Sequence, residues 1–393
     1  MKVSTFPTNL FDLTNFCKGI AIAWIFLVHL KGGWFGWQGV HVFIVLSGFG
    51  LAYSCLKSDR SGSWKPWFYK RFRRILPVYW VVVLASLPLV LLFDIGPRPG
   101  VESGLFRKFL DFVLLTNVFE EFRGGGTGAF WYVPFIIGAY LFFPLFFYFL
   151  KKCSKLRDYL LFFAAIAAME ILYRSVAIYV FDGQPIGYSE KFIKWIPDSV
   201  SALDRNPDWL FGLFQRRAPF GFIPARMTEF VLGMLAGFAA FYQPKKLQGW
   251  LFSKYAGWLG FVAWLGAQLL LYVGLWGWIF ADFAIAFGLI IWLLNLANFC
   301  RQRLSPIFAA FTWIGVWSYY IYLTHQPFTR IFPQFQGVLL AGRSSVWLEL
   351  VETLVLLALT LACVAVSSWL AMKFDRSSYP EKMMAWLAGG NRE

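Results

Sequence analysis

Three histidines occur in the 393-residue sequence, His29, His41 and His325. Two of them fall within one stretch, WIFLVHLKGGWFGWQGVHVFIVLSGFG at residues 24–50. Imidazole exchanges protons near neutral pH, yet these rings lie among side chains apolar enough for lipid. An ionisable group inside a membrane span is costly and marks a functional position by default. The set is short: Lys18, His29, His41, Glu170, Arg174, Arg226, Glu229, His325 and Arg330. Glu170 and Arg174 stand at i,i+4 and Arg226 and Glu229 at i,i+3, so each couple shares a helix face and can pair internally. Arg330, near a helix end, can extend its charge to the surface. Lys18 and His29 are three helical turns apart, so they share a face about 16 Å apart along the axis. A cation at one end of a face and an imidazole at the other suit a cavity wall. The plainer alternative is a lysine reaching the surface and a histidine bonded to a neighbouring helix.

A third element is SWKPWFYKRFRRILP at residues 63–77. Arg71 and Arg74 share a face at i,i+3 if this segment is helical, Arg73 stands beside them, and Pro77 sits early in the apolar run that follows. Guanidiniums grip phosphates through forked hydrogen bonds, so the stretch suits a phosphorylated cytoplasmic ligand. An ordinary basic anchor with an aromatic belt has the same composition. The five cysteines are scattered singly without a CxxC, which argues against a disulfide framework or a thiolate metal site; no metal is expected.

Hydrophobic residues make up 59% of the chain and charged residues 15%, far from a soluble balance. Apolar segments fall at about 13–31, 35–56, 75–93, 129–150, 158–181, 219–242, 255–277, 278–299, 311–330 and 347–373, each of a length that crosses a bilayer. A further segment, 104–119, carries Arg107, Lys108 and Asp111. If it does not cross, the basic loops after 57, 150, 244 and 300 all share one side with the basic C-terminal end, as cytoplasmic loops do. The expectation is an all-α polytopic membrane protein, a bundle of about ten transmembrane helices with both termini cytoplasmic. One membrane domain spans 1–380, with an external loop at 182–218, and 381–393 forms a short cytoplasmic tail. The net charge of +15 belongs to those loops, and no nucleic-acid partner is expected. No cleavable signal peptide and no internal repeat are evident.

Six fragments, taken in order, resemble acyltransferase family 3, the integral-membrane acyltransferases that modify bacterial surface glycans and related molecules. They are KGIAIAWIFLVH (18–29), GVHVFIVLSGF (39–49), FYKRFRRILPVYW (68–80), FWYVPFIIGAYLFFP (130–144), RMTEFVLGMLAG (226–237) and IGVWSYYIYLTHQPF (314–328). The resemblance runs over about residues 9–373. Two departures stand out: Lys18 replaces the usual Arg, losing its planar fork, and His41 stands where Asp is common.

The resemblance implies an acyl-CoA as co-substrate, acetyl-CoA by default with succinyl open, and no permanently bound cofactor. Lys18, Arg71, Arg73 and Arg74 would hold the donor, whose pantetheine arm would reach His29 between the helices. His29 is then the candidate general base for a hydroxyl attacking the thioester. His41 and Glu229 are further catalytic candidates, Glu229 with Arg226 as an orienter of His29 or of a sugar hydroxyl. For the oxyanion, His41, Ser47, Tyr322 and the amides around Gly48 qualify on polarity alone. Trp131, Tyr132, Tyr140, Arg226 and His325 are candidates for the acceptor side. The acceptor would be a glycan or lipid-linked sugar at a bacterial inner membrane. The competing reading is a transporter or flippase for a lipid-linked sugar, with the histidines as a proton relay. The sequence does not indicate an oligomeric state.

Overall fold

The computed structural model describes residues 9–31, 36–58, 62–93, 132–180, 223–338 and 345–387. Among these, twelve α-helices and several 3-10 turns occur and no strand: α1 Asn9–Lys31, α2 Gly39–Lys57, α3 Lys65–Phe93, α4 Tyr132–Lys152, α5 Leu156–Tyr179, α6 Met227–Tyr242, α7 Pro244–Leu251, α8 Ala256–Leu269, α9 Leu275–Arg303, α10 Ser305–Ile331, α11 Val346–Asp375 and α12 Tyr379–Leu387. The protein is an all-α polytopic membrane fold. Eight helices among the described residues are long and apolar enough to cross a bilayer, or nine if α7 and α8, bent by 67°, form one span. The third apolar segment expected from sequence falls on α3, which has no charge after Arg74. Segment 104–119, Trp131 and the loop 182–218 lie outside the described residues.

Three boundaries differ from expectation. The basic stretch before residue 75 is not a loop but the opening of α3, continuous to Phe93, with Pro77 inside the helix. The break expected after 277 comes at Gly274, whose φ of 101° suits glycine and lets α9 begin at Leu275. The start of the expected tail is helical, and α12 rests on α3 through a 2.9 Å ion pair between Arg73 and Glu381.

Small residues set how the bundle closes. Lipid is as apolar as a leucine side chain, so membrane helices associate through close packing, which small residues permit. A Cβ on Gly19 of α1 would run into the Phe311 carbonyl of α10, and one on Gly315 of α10 into the Asn15 carbonyl of α1. The same contact recurs between α2 and α6, where Gly48 meets the Phe230 carbonyl and Gly233 the Val45 carbonyl.

These seams leave α1 at the centre with two buried faces. Leu13, Cys17 and Ala21 enter a core shared with α2, α8 and α9. Ile22 and Ile25 enter another, shared with α2, α3, α4, α6 and α10. Lys18 and His29 continue the stripe of Ile22 and Ile25 at steps of four, three and four residues, so they face α3, α4 and α10.

Candidate functional site

Along α1 and α10 two histidines far apart in sequence meet. His325 Nδ1 lies 3.0 Å from the Ile321 carbonyl and 2.8 Å from the Tyr322 carbonyl. A carbonyl oxygen only accepts, so Nδ1 of His325 carries the proton and donates. In the neutral ring Nε2 then holds a lone pair, and it stands 3.0 Å from Nδ1 of His29. One of two nitrogens in that contact must donate, so His29 donates from Nδ1 and keeps Nε2 as its basic nitrogen. His325 is fully buried, whereas His29 is half-buried. Arg330, expected to reach the surface, is also half-buried, and its charge acts on His29. An imidazole whose Nδ1 donates and whose Nε2 keeps the lone pair is equipped as a general base.

Three turns back along the same face, Lys18 is half-buried and close enough to Arg74 for their charges to repel. Arg71 lies over the Trp67 ring at 5.6 Å, and the charges of Arg71 and Arg74 both act on Tyr140. The aromatic residues before the arginines thus brace α3: Trp67 stacks on Phe143 of α4 at 5.0 Å. Tyr319 donates to the Ile75 carbonyl at 2.8 Å and Tyr320 to Asp375 at 2.6 Å, tying α10 to α3 and α11 at this level. Arg73 turns away from this group to Glu381. Lys18, Arg71 and Arg74 form a cluster of cations with an exposed member, Arg74. Forked donors of this kind fit phosphate.

Between the two ends, Tyr322 and Tyr132 join α10 to α4. The Tyr132 backbone N–H donates to the Tyr322 phenol oxygen at 3.2 Å, and the Tyr132 phenol meets the Ser47 hydroxyl of α2 at 3.3 Å.

His41, Arg226 and Glu229 belong to a different constellation. His41 is completely buried, with Nδ1 2.9 Å from Glu229 Oε2 and Nε2 3.6 Å from Asp282 Oδ1. Arg226 reaches Glu229 at 2.9 Å and Asp282 at 3.2 Å. Glu229, weighed as an orienter of His29, has its carboxylate engaged by Arg226 and His41, while His29 is held by His325. Both couples pair as their spacing allows, Arg226 with Glu229 and Arg174 more loosely with Glu170, and both arginines also reach Asp282. Arg174 is 3.7 Å from Glu170 but 2.6 Å from Asp282, and Glu170 accepts the Thr228 N–H at 2.7 Å. Asp282, which joins both arginines, escaped the sequence reading because the misplaced break before α9 put it close to a helix end. Arg174 also donates to the Ala225 and Trp278 carbonyls at 3.1 and 2.6 Å, pinning the entries to α6 and α9. Among the described residues no group of three or more His, Cys, Asp or Glu side chains is placed to hold a metal ion.

The model of an acyltransferase family, the acyltransferase 3 domain, matches residues 14–372. The chain belongs to this family. No curated protein and no solved structure matches it. The match covers α1 through nearly all of α11, so both histidines of the pair and the cationic opening of α3 lie inside the domain. The protein is a membrane acyltransferase, and the His29–His325 contact lies on the seam that Gly19 and Gly315 make between α1 and α10.

Proposed function

We propose that this acyltransferase moves an acyl group, acetyl by default, from acyl-CoA on the cytoplasmic side to a hydroxyl of a cell-surface or exported glycan at a bacterial inner membrane. The observation that carries the reading is the His29–His325 pair, which leaves Nε2 of His29 as the base on the stripe that begins at Lys18. Arg71 and Arg74 hold the phosphates of the donor, with Lys18 at the start of the path. Arg73 supports them by tethering α12. The pantetheine arm follows the Lys18–His29 face between α1, α3, α4 and α10.

His29 Nε2 takes the proton of the acceptor hydroxyl as its oxygen attacks the thioester carbonyl. Positive charge on the His29 ring is shared through Nδ1–H with His325. The C–S bond then breaks, and the same proton passes from Nε2 to the leaving sulfur, giving free coenzyme A. Tyr132 stands at the acceptor side, with His325 acting through His29. His41, Arg226 and Glu229 hold the helices that frame this side and do not touch the reacting atoms.

The test follows radiolabelled acetyl-CoA in membranes of cells making their native surface glycans, with the intact protein and with His29→Ala. Label reaching glycan only with His29 intact is the expected result, and the labelled product identifies the acceptor. Equal transfer by the variant removes His29 as the base. Absence of transfer together with absence of coenzyme A binding overturns the donor and favours a flippase.

A further inference from the structure

A recess of about 90 Å³ opens towards the end of the bundle where α1 begins and α6 and α9 finish. Its walls come from five helices: Leu10 of α1, Phe49 of α2, Leu232 of α6, Leu251 of α7, and Ile290 and Leu294 of α9. All of these but Leu232 are buried, so the recess enters the packed bundle and is not a stretch of lipid-facing surface. Thr14 brings the one hydroxyl among the walls, and it donates to the Phe11 carbonyl at 2.8 Å. A cavity walled by hydrocarbon stays dry and takes up apolar ligands, whereas walls that face nothing forfeit their dispersion contacts. Trp250 and Phe287 stand at the mouth, 54% and 43% exposed, and open it to the acyl chains of the bilayer.

The helix that closes the recess carries charge. α7 turns from α8 by 67°, and its last carbonyl, of Leu251, accepts from Asn295 of α9 at 2.9 Å. Leu247, Trp250 and Leu251 line the recess, while Lys245 and Lys246 are exposed. Lys254 follows, over the Tyr255 ring at 5.4 Å. No acidic residue occurs between Glu229 and Asp282, and Asp12, exposed on α1, is the single acid in the segments that line the recess. A short helix with leucines and a tryptophan on one side and lysines on the other lies in a membrane interface and draws anionic headgroups.

We propose that this recess is a binding site for one anionic phospholipid, an acyl chain entering between α6, α7 and α9 and the phosphate meeting Lys245, Lys246 and Lys254. The two halves of the site select the ligand together. A soluble phosphate has no use for the hydrocarbon walls, and a zwitterionic lipid gains from the walls but little from the lysines.

The test titrates the full chain in detergent with phosphatidylglycerol or with phosphatidylcholine of the same acyl chains, and counts retained lipid by native mass spectrometry. One phosphatidylglycerol per chain is expected. Each lysine near a surface phosphate contributes about fivefold in affinity, so phosphatidylglycerol should bind at least about tenfold more tightly than phosphatidylcholine, with a smaller difference at high salt. Replacing the lysines together, Lys245→Gln, Lys246→Gln and Lys254→Gln, should bring phosphatidylglycerol down to the level of phosphatidylcholine. Ala236→Phe, which fills the recess from α6, should abolish retention of both lipids. If that variant does not fold, Ala236→Leu takes its place and should weaken both by at least about threefold. Equal binding of the two lipids by the wild type reduces the recess to general lipid contact and overturns the proposal. Retention of phosphatidylglycerol unchanged in the lysine variant or in the filled variant overturns it as well.

Discussion

On the proposed mechanism His325 need not touch substrate to affect the rate, because its Nε2 accepts from His29 Nδ1 and helps to hold the proton there. Replacing it by Leu removes the acceptor 3.0 Å from His29 Nδ1 and leaves a buried N–H without it. Such a loss costs about 1–3 kcal/mol, or about 5- to 150-fold in rate at 1.4 kcal/mol per factor of ten. The Ile25 carbonyl one turn back on α1 remains as a weaker acceptor, and a ring that turns or moves its proton to Nε2 loses the base. His325→Leu should therefore lower kcat by about 10–100-fold, within the range set by that hydrogen-bond loss. The KM for acetyl-CoA should stay within about twofold, because Lys18, Arg71 and Arg74 are untouched. His325→Gln restores a carbonyl acceptor and should recover part of the loss. The assay is the initial rate of label transfer in reconstituted vesicles, with melting temperatures taken in parallel. A Leu variant that folds normally and transfers within about twofold of wild type would refute the tautomer reasoning.

Other outcomes follow from the same contacts. Arg71→Ala combined with Arg74→Ala should raise the KM for acetyl-CoA about tenfold or more and leave kcat nearly unchanged, with the larger effect at low salt; an unaltered KM would remove these residues from the donor site. Asp282→Asn takes one charge from a buried group facing both Arg174 and Arg226, and should cost about 3–5 kcal/mol. Its readout is the melting temperature in detergent, and an unchanged value would mean that the cluster is not strained by the loss. Gly19→Val forces a side chain into the Phe311 carbonyl and should separate α1 from α10, lowering the yield of folded protein and, in what remains, transfer more than coenzyme A binding. Full transfer by Gly19→Val would show that the seam does not set the histidine geometry.

The family was legible in the resemblance of six ordered fragments, and the helical bundle in the uninterrupted apolar runs of about 20 residues that lipid demands. So was the stripe joining Lys18 to His29, since the period of one helix is a local property. The partner of His29 was not. His325 reads, in sequence, as an imidazole near a helix end, and only the Gly19–Gly315 seam brings its Nε2 to His29. Asp282 was hidden for a related reason: its depth depends on where α9 starts, and that is decided by one glycine turn at 274. The couples Glu170–Arg174 and Arg226–Glu229 looked self-contained because spacing along a helix says nothing about a carboxylate arriving from another. Apolarity and periodicity therefore determined the helices and the faces they offer. Which charged group meets which, and so which nitrogen is left to do chemistry, was decided by the close approach of backbones at small residues.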